Sequence, residues 1–324
     1  MSYLPRDFVV TAEGLVFAVV DRFGDEARIP CFLRYRPLPD GRLQKLATDA
    51  ANTLLRQFHP KYLYQCERRQ AALHGVRPGD VVRHLTPRER VRQLLGEGAA
   101  NDPFEARAAR LVHVLAAHGV AIDSVGVTGS VLIASHGTHS DIDLVIYDET
   151  AFQRARDAVP LLIRDGVFTA LDEEAWADAY RRRGCALNQE TFHWHEVRKH
   201  NKAVFEGTKF DLSLLTDKPT SASSPQIWRK LGATRIQATV TDDRHAFHYP
   251  ARLGIDNPDV GEVLAFTATY TGQARTGERI EVQGKLEQAA DGRQRIIVGS
   301  DRESVGQSIR VLGSSQADSN RQGQ

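Results

Sequence analysis

With 324 residues the chain exceeds a usual single domain and is long enough for two or three units with adequate cores. Its 42 lysines and arginines balance 41 aspartates and glutamates, which excludes a global basic field for nucleic acid and leaves only local patches for that purpose. Cys31, Cys66 and Cys185 lie far apart without a CxxC pair, excluding a zinc ribbon and a disulfide framework and favouring a reducing cytoplasm. The opening residues lack the basic segment and apolar core of a signal peptide, and no apolar run approaches the ~20 residues that span a bilayer.

In chain order, Phe8 to Thr11, Leu15 to Val20 and Ile29 to Tyr35 are β-rich runs that predict a small antiparallel meander. Helices are predicted over Lys45 to Gln57 and Pro87 to Leu95, the second with Thr86 as N-cap, Pro87 at the first helical position and Glu89 at the third. Residues 1–100 therefore read as a separate αβ module. Its basic residues Arg34, Arg36, His59, Lys61, Arg68, Arg69 and His74 are candidates for phosphate contact or for a solvated surface.

A catalytic core is expected over residues 101–217. Asp102-Pro103-Phe104-Glu105 is a helix start, and Phe104, Ala108, Leu111, Val112 and Leu115 make one apolar stripe. Val125 to Thr128 and Asp141 to Tyr147 read as strands, with a helix from about Glu149 to Asp165 burying Phe152, Ala155, Val159 and Leu162.

Alternate residues of a strand share a face, so Asp141 and Asp143 present their carboxylates together while Ile142 and Leu144 turn to the core. Asp211, in the apolar run Phe210 to Leu215, completes a three-carboxylate set from a neighbouring strand. Such a set suits Mg²⁺, or Mn²⁺ in its place, alongside phosphate oxygens and water. In a two-metal site the ions sit roughly 3.5 to 4 Å apart, one activating the attacking hydroxyl and the other neutralising the leaving pyrophosphate. Gly129 and Ser130 follow the first strand where the backbone turns, and supply close approach, a hydroxyl and backbone N–H donors for a triphosphate.

Beyond Leu171 helices are predicted over Glu173 to Arg183 and from about Gln189 to Lys202, the latter capped by Asn188 with Leu187 and Phe192 as a hydrophobic staple. His195, Arg198, Lys199 and Lys202 gather on one face, a candidate cationic contact for the nucleotide; the alternative is a solvated face balanced by Glu190 and Glu196. His193 and His195 diverge by roughly 200° on a helix, which disfavours joint metal binding.

Asp217 to Pro225 reads as a linker and a domain boundary. Past it, Arg235 to Thr241, Val263 to Tyr270, Glu278 to Leu286 and Gln294 to Val298 predict a small β-barrel or sandwich over 218–313, and an OB-like barrel is compatible with that spacing. Within it, Thr269 to Glu278 reads as a structural hairpin segment ahead of a nucleotide-contact loop. Residues 314–324 are expected to be disordered.

The Gly129-Ser130, spacer, Asp141-Ile142-Asp143-Leu144 pattern with the later Asp211 resembles the signature of the DNA polymerase β-type nucleotidyltransferase superfamily. Arg6-Asp7-Phe8, Trp194-His195-Glu196, Gly207-Thr208-Lys209-Phe210-Asp211 and Gly272-Gln273-Ala274 extend the likeness to a group of mostly archaeal predicted nucleotidyltransferases. The resemblance implies an α+β fold with a polymerase β-like mixed-sheet core, Gly129 and Ser130 holding the nucleotide, and Asp141, Asp143 and Asp211 holding the metal. The activity it implies is transfer of a nucleoside monophosphate from an NTP or dNTP to a hydroxyl. A 3′ end of RNA or DNA is the first acceptor, and a protein or small-molecule hydroxyl the second. The rival from another class is a nucleotide- or RNA-binding protein without turnover, against which three mutually repelling carboxylates argue.

Overall fold

Apolar residues crowd both faces of the first strands, so the sheet they form needs cover on two sides. In the computed structural model, which describes residues 2–22, 28–96, 102–137, 140–217, 226–299 and 304–313, β1 (Phe8–Thr11), β2 (Val16–Val19), β3 (Ile29–Pro37), β4 (Leu43–Lys45), β5 (Leu63–Cys66), β6 (Ala71–Val76) and β7 (Val81–Leu85) make one antiparallel sheet. Its order is β5-β6-β3-β2-β1-β7, with β4 on β3. Val9, Phe17 and Leu33 pack on one face with Ala51 and Leu55 of helix α1 (Thr48–Phe58). Phe8, Val16 and Tyr35 pack on the other with Leu132 of a short helix α4 (Gly129–Leu132).

That second contact corrects the expectation of a separate module over 1–100. Leu4 likewise packs with Val145, Tyr147 and Leu215. Helix α2 (Pro87–Leu95) lies on strand β8 (Val125–Val127) so closely that a Cβ on Gly126 would stand 2.6 Å from Pro87 Cβ. The N-terminal sheet and the core thus share apolar surface, and they fold as one unit of residues 1–170 with 201–217.

The central sheet of this unit has four strands in the order β10-β11-β9-β8. Strand β9 (Ile142–Ile146) runs antiparallel to β8 and parallel to β11 (Thr208–Leu214), and β10 (Lys202–Phe205) closes the other edge antiparallel to β11. Ile142, Leu144, Ile146, Phe210, Leu212 and Leu214 are buried, while Asp143 and Asp211 alternate with them. Helix α3 (Pro103–Ala117) buries Ala108, Leu111, Val112 and Leu115, and α5 (Glu149–Arg164) buries Phe152, Ala155, Val159 and Leu162. The start of α3 is set as its sequence predicts, with the Asp102 carboxylate accepting from the Phe104 and Glu105 amides at 2.8 and 3.1 Å.

The second unit joins 171–200 to 218–324. Its helices α6 (Glu173–Arg183) and α7 (Gln189–Val197) were expected inside the core, and they belong with the C-terminal β region instead. Helix α7 also stops five residues short of the expected Lys202. His200 takes φ +51°, and Asn201 pairs with Leu212 through both backbone and side chain, so Lys202 opens β10.

In the C-terminal region β12 (Trp228–Asp242), β13 (Ala251–Ile255), β14 (Val260–Ala265), β16 (Gln294–Val298) and β15 (Arg279–Ala289) pair in that order. The β12–β15 pairing closes the ring, and β17 (Ser308–Val311) lies on β15. Closure makes this a barrel, with its β14–β16 pair parallel. The predicted linker residues 218–225 and tail 314–324 lie outside the described residues.

Gly126 tests the joint between the N-terminal segment and the core. Gly126→Ala is expected to cost about 1–3 kcal/mol through overpacking against Pro87, read by denaturant unfolding. An unchanged midpoint would show that α2 is not seated on β8.

Candidate active site

Parallel pairing sets Asp211 directly opposite Asp143 on adjacent strands, and antiparallel pairing sets Lys202 directly opposite Asp211. Side chains so paired share a face of the sheet. Lys202 Nζ is 3.3 Å from Asp211 Oδ1. At the open end of β9, Lys209 Nζ is 3.1 Å from Asp141 Oδ2. The sheet thereby gathers Asp141, Asp143 and Asp211 with two lysines interleaved, and all three carboxylates are partly buried.

Burial, followed by the charge of Asp211, pushes the Asp143 carboxyl up to about 6, while Arg6 and Lys45 pull against that rise. At the roughly 5 Å between paired side chains of adjacent strands, two carboxylates repel by about 3 kcal/mol at an effective dielectric of ~20. A site of this kind is poised for a cation.

Gly129 is placed where β8 ends, at φ +66°, and a Cβ there would stand 2.3 Å from Asp143 Oδ2. Only glycine fits, for the backbone conformation and for the approach alike. The joint is tied by Thr128, whose amide donates to the Asp143 carbonyl at 2.9 Å and whose hydroxyl donates to the Arg6 carbonyl at 2.8 Å. Ser130, next in α4, is half-buried.

Three of the expected nucleotide contacts are otherwise engaged within the second unit, which corrects their assignment. His195 is buried, its Nδ1 3.0 Å from the Gln273 carbonyl and its Nε2 facing the Val311 amide. Lys199 is buried as well and donates to Glu196 and to the Thr269 carbonyl. Arg198 pairs with Glu278 and lies 4.3 Å above the Trp194 ring. The cationic face read on one helix is thus divided, because the chain leaves the helix before Lys202 and returns to the carboxylates. Thr269 to Glu278 is structural as expected: the Gln273 amide reaches the Ile309 carbonyl and Tyr270 the Gln307 carbonyl.

Several N-terminal basic candidates are also structural. Arg68 and Arg69 both clasp Asp21, His74 spans the Leu33 amide and Asn52, Lys61 meets Glu13, and Arg36 meets Gln44. Besides Lys202, the cations that bear on the carboxylates are Arg6, Lys45 and Lys209, and of these three only Lys209 carries a local signal, alternating with Asp211 along one strand.

A second cluster joins Asp102, Glu105 and His136, whose ligand atoms lie within 4.8 Å of one another. His136 Nε2 is 3.0 Å from Asp102, its ring stacks on Phe104, and Glu105 pairs with Arg90. These contacts tether His136 onto the start of α3.

No helix among the described residues is long and apolar enough to cross a membrane. Over 333 residues the chain is 32% identical to the uncharacterized protein MJ1086 of Methanocaldococcus jannaschii, an alignment covering 94% of this chain and 98% of that protein. The chain belongs to the family of that archaeal protein. No family model and no solved structure matches it.

Burial, then Lys199 and Arg198, holds His195 down to about 3. A folded value below the ordinary 6.5 means that the unfolded chain binds the extra proton first. Stability from this residue is therefore complete above pH ~6.5 and is lost as pH falls towards 3. Thermal melting between pH 7.5 and 4.5 should show a fall that is smaller in His195→Gln; equal slopes in the two proteins would refute a neutral buried imidazole.

Proposed function

We propose that this protein is a metal-dependent nucleotidyltransferase, moving a nucleoside monophosphate from an NTP or dNTP to an acceptor hydroxyl. The observation that carries the reading is the register of Asp211 against Asp143, beside a glycine whose backbone touches the Asp143 carboxylate. Three acidic oxygen donors on one end of a sheet fit a hard divalent ion, Mg²⁺ or Mn²⁺, and glycine at 129 lets the Asp143 carboxylate lie against the turn, since a Cβ there would stand 2.3 Å from Oδ2. Asp141, Asp143 and Asp211 would hold the ion, which when bound neutralises phosphate charge and acidifies the acceptor hydroxyl.

The chain's own residues orient and compensate. Gly129 leaves room for the Asp143 carboxylate against the turn, and the Ser130 hydroxyl is a donor to a phosphate oxygen. Lys202 and Lys209 offset the carboxylates they face. In the transfer the acceptor oxygen bonds to the α-phosphorus, the bond from that phosphorus to the bridging oxygen breaks, and pyrophosphate leaves with the electron pair. The acceptor proton is lost to solvent.

Incubation with each labelled NTP and dNTP, Mg²⁺ or Mn²⁺, and RNA, DNA and protein acceptors should label one acceptor class. Asp143→Asn should abolish that labelling, and Gly129→Ala should reduce it by about 100-fold or more, on the scale of a misplaced reacting group. Equal labelling by wild type and Asp143→Asn would sink the assignment. Because a carboxyl raised to about 6 must lose its proton to bind a cation, the Mg²⁺ concentration giving half-maximal labelling should rise as pH falls below 6 and level off above it. A half-maximal Mg²⁺ concentration independent of pH between 5 and 7 would remove Asp143 from the metal site.

A further inference from the structure

We propose that the N-terminal sheet forms the cationic wall of the donor site, with Arg6 and Lys45 binding the β- and γ-phosphates of the nucleoside triphosphate. This inference rests on the nucleotidyltransferase reading and adds residues that the superfamily signature does not contain.

Arg6 stands two residues before the first residue of β1 with φ +79°, a left-handed conformation costly for a residue with a Cβ. Strain of that kind persists where surrounding structure imposes it, and here the restraints are visible. The Arg6 amide donates to the Val19 carbonyl at 3.1 Å, and its carbonyl accepts from the Thr128 hydroxyl at 2.8 Å. Thr128 in turn donates its amide to the Asp143 carbonyl. Two hydrogen-bonding groups of one residue thus connect the Arg6 backbone to the acidic strand, at the residue preceding Gly129.

Lys45 arrives from a different strand. Leu43 and Lys45 alternate onto one face of β4, and Leu43 packs with Phe8, Val16, Tyr35 and Leu132, the cluster that covers α4. Lys45 is also the cross-strand partner of Tyr35. Its exposed ammonium therefore lies on the side of the sheet that faces the Gly129-Ser130 turn, and it acts electrostatically on Asp143 together with Arg6. Lys202 and Lys209 already approach Asp211 and Asp141, so the two N-terminal cations bear on the remaining carboxylate, the one beside the glycine wall. A triphosphate bound there brings more negative charge than the metal alone removes, and two cations on flexible stems are suited to meeting it.

The test uses the full chain, Mg²⁺ and a fluorescent ATP analogue without acceptor, followed by steady-state transfer. Arg6→Gly is the informative variant because glycine takes φ +79° freely: it should melt no lower than wild type while its affinity for the triphosphate falls about tenfold or more. Lys45→Ala should fall similarly, with KM for NTP rising and kcat changing less. Affinity for the corresponding nucleoside monophosphate should stay within about twofold in both variants, and Arg6→Lys should recover part of the loss. Wild-type triphosphate affinity in both Arg6→Gly and Lys45→Ala would overturn the proposal, and loss of labelling in Asp143→Asn would then leave the reaction class standing. A wild-type protein that binds no triphosphate would overturn both.

Discussion

Two like charges held opposite one another in the register of a sheet set the terms for the rest of the first unit. Asp143 and Asp211 sit on neighbouring parallel strands whose other faces are fully apolar, so neither strand can slip without exposing Ile142, Leu144, Phe210 and Leu212. The hydrophobic pattern thereby enforces an electrostatic conflict that the chain meets with cations. Lys202 and Lys209 approach from the same sheet, while Arg6 and Lys45 act on Asp143 from the sheet that packs over α4. Carboxylates held in repulsion by the backbone favour a compensating positive charge between them.

The N-terminal sheet derives its importance from having two apolar faces. One is covered by α1, and the other is finished by Leu132 of α4, directly after the Gly129-Ser130 turn. Packing therefore holds the turn in place as well as covering the sheet. Beside it α2 seats on β8 at Gly126, where a Cβ would stand 2.6 Å from Pro87 Cβ, and the Thr128 bonds connect the Arg6 backbone to the acidic strand. Removing the first hundred residues would strip the Gly129-Ser130 turn of this packing, so they are part of the architecture around the carboxylates.

The second unit shows how buried polar groups mimic functional ones in a sequence. His195, Lys199 and Arg198 have the spacing of a phosphate-binding face, yet His195 and Lys199 are buried and all three have defined protein partners within their own unit. A buried lysine beside Glu196 is tolerable because its charge is paired and hydrogen-bonded, and its second partner, the Thr269 carbonyl, is one that no local pattern reveals. The C-terminal strands close into a barrel by a β12–β15 pairing between residues 40 to 61 positions apart, which turn spacing alone leaves undetermined between barrel and sandwich.

What the sequence determined by itself was local. Period-two alternation placed Asp143 and Asp211 on polar faces of core strands, side-chain caps started α2, α3 and α7, and glycine marked the turn beside the carboxylates. These features depend on residues a few positions apart. The tertiary structure decided which strand stands next to which, that Lys202 belongs to Asp211 and to no helix, that His195 and Lys199 are interior, and that Arg6 and Lys45 act on a carboxylate 137 and 98 positions away. Those facts follow from the burial of two sheets and a barrel, a free energy spread over many distant contacts, and no short run of residues contains it.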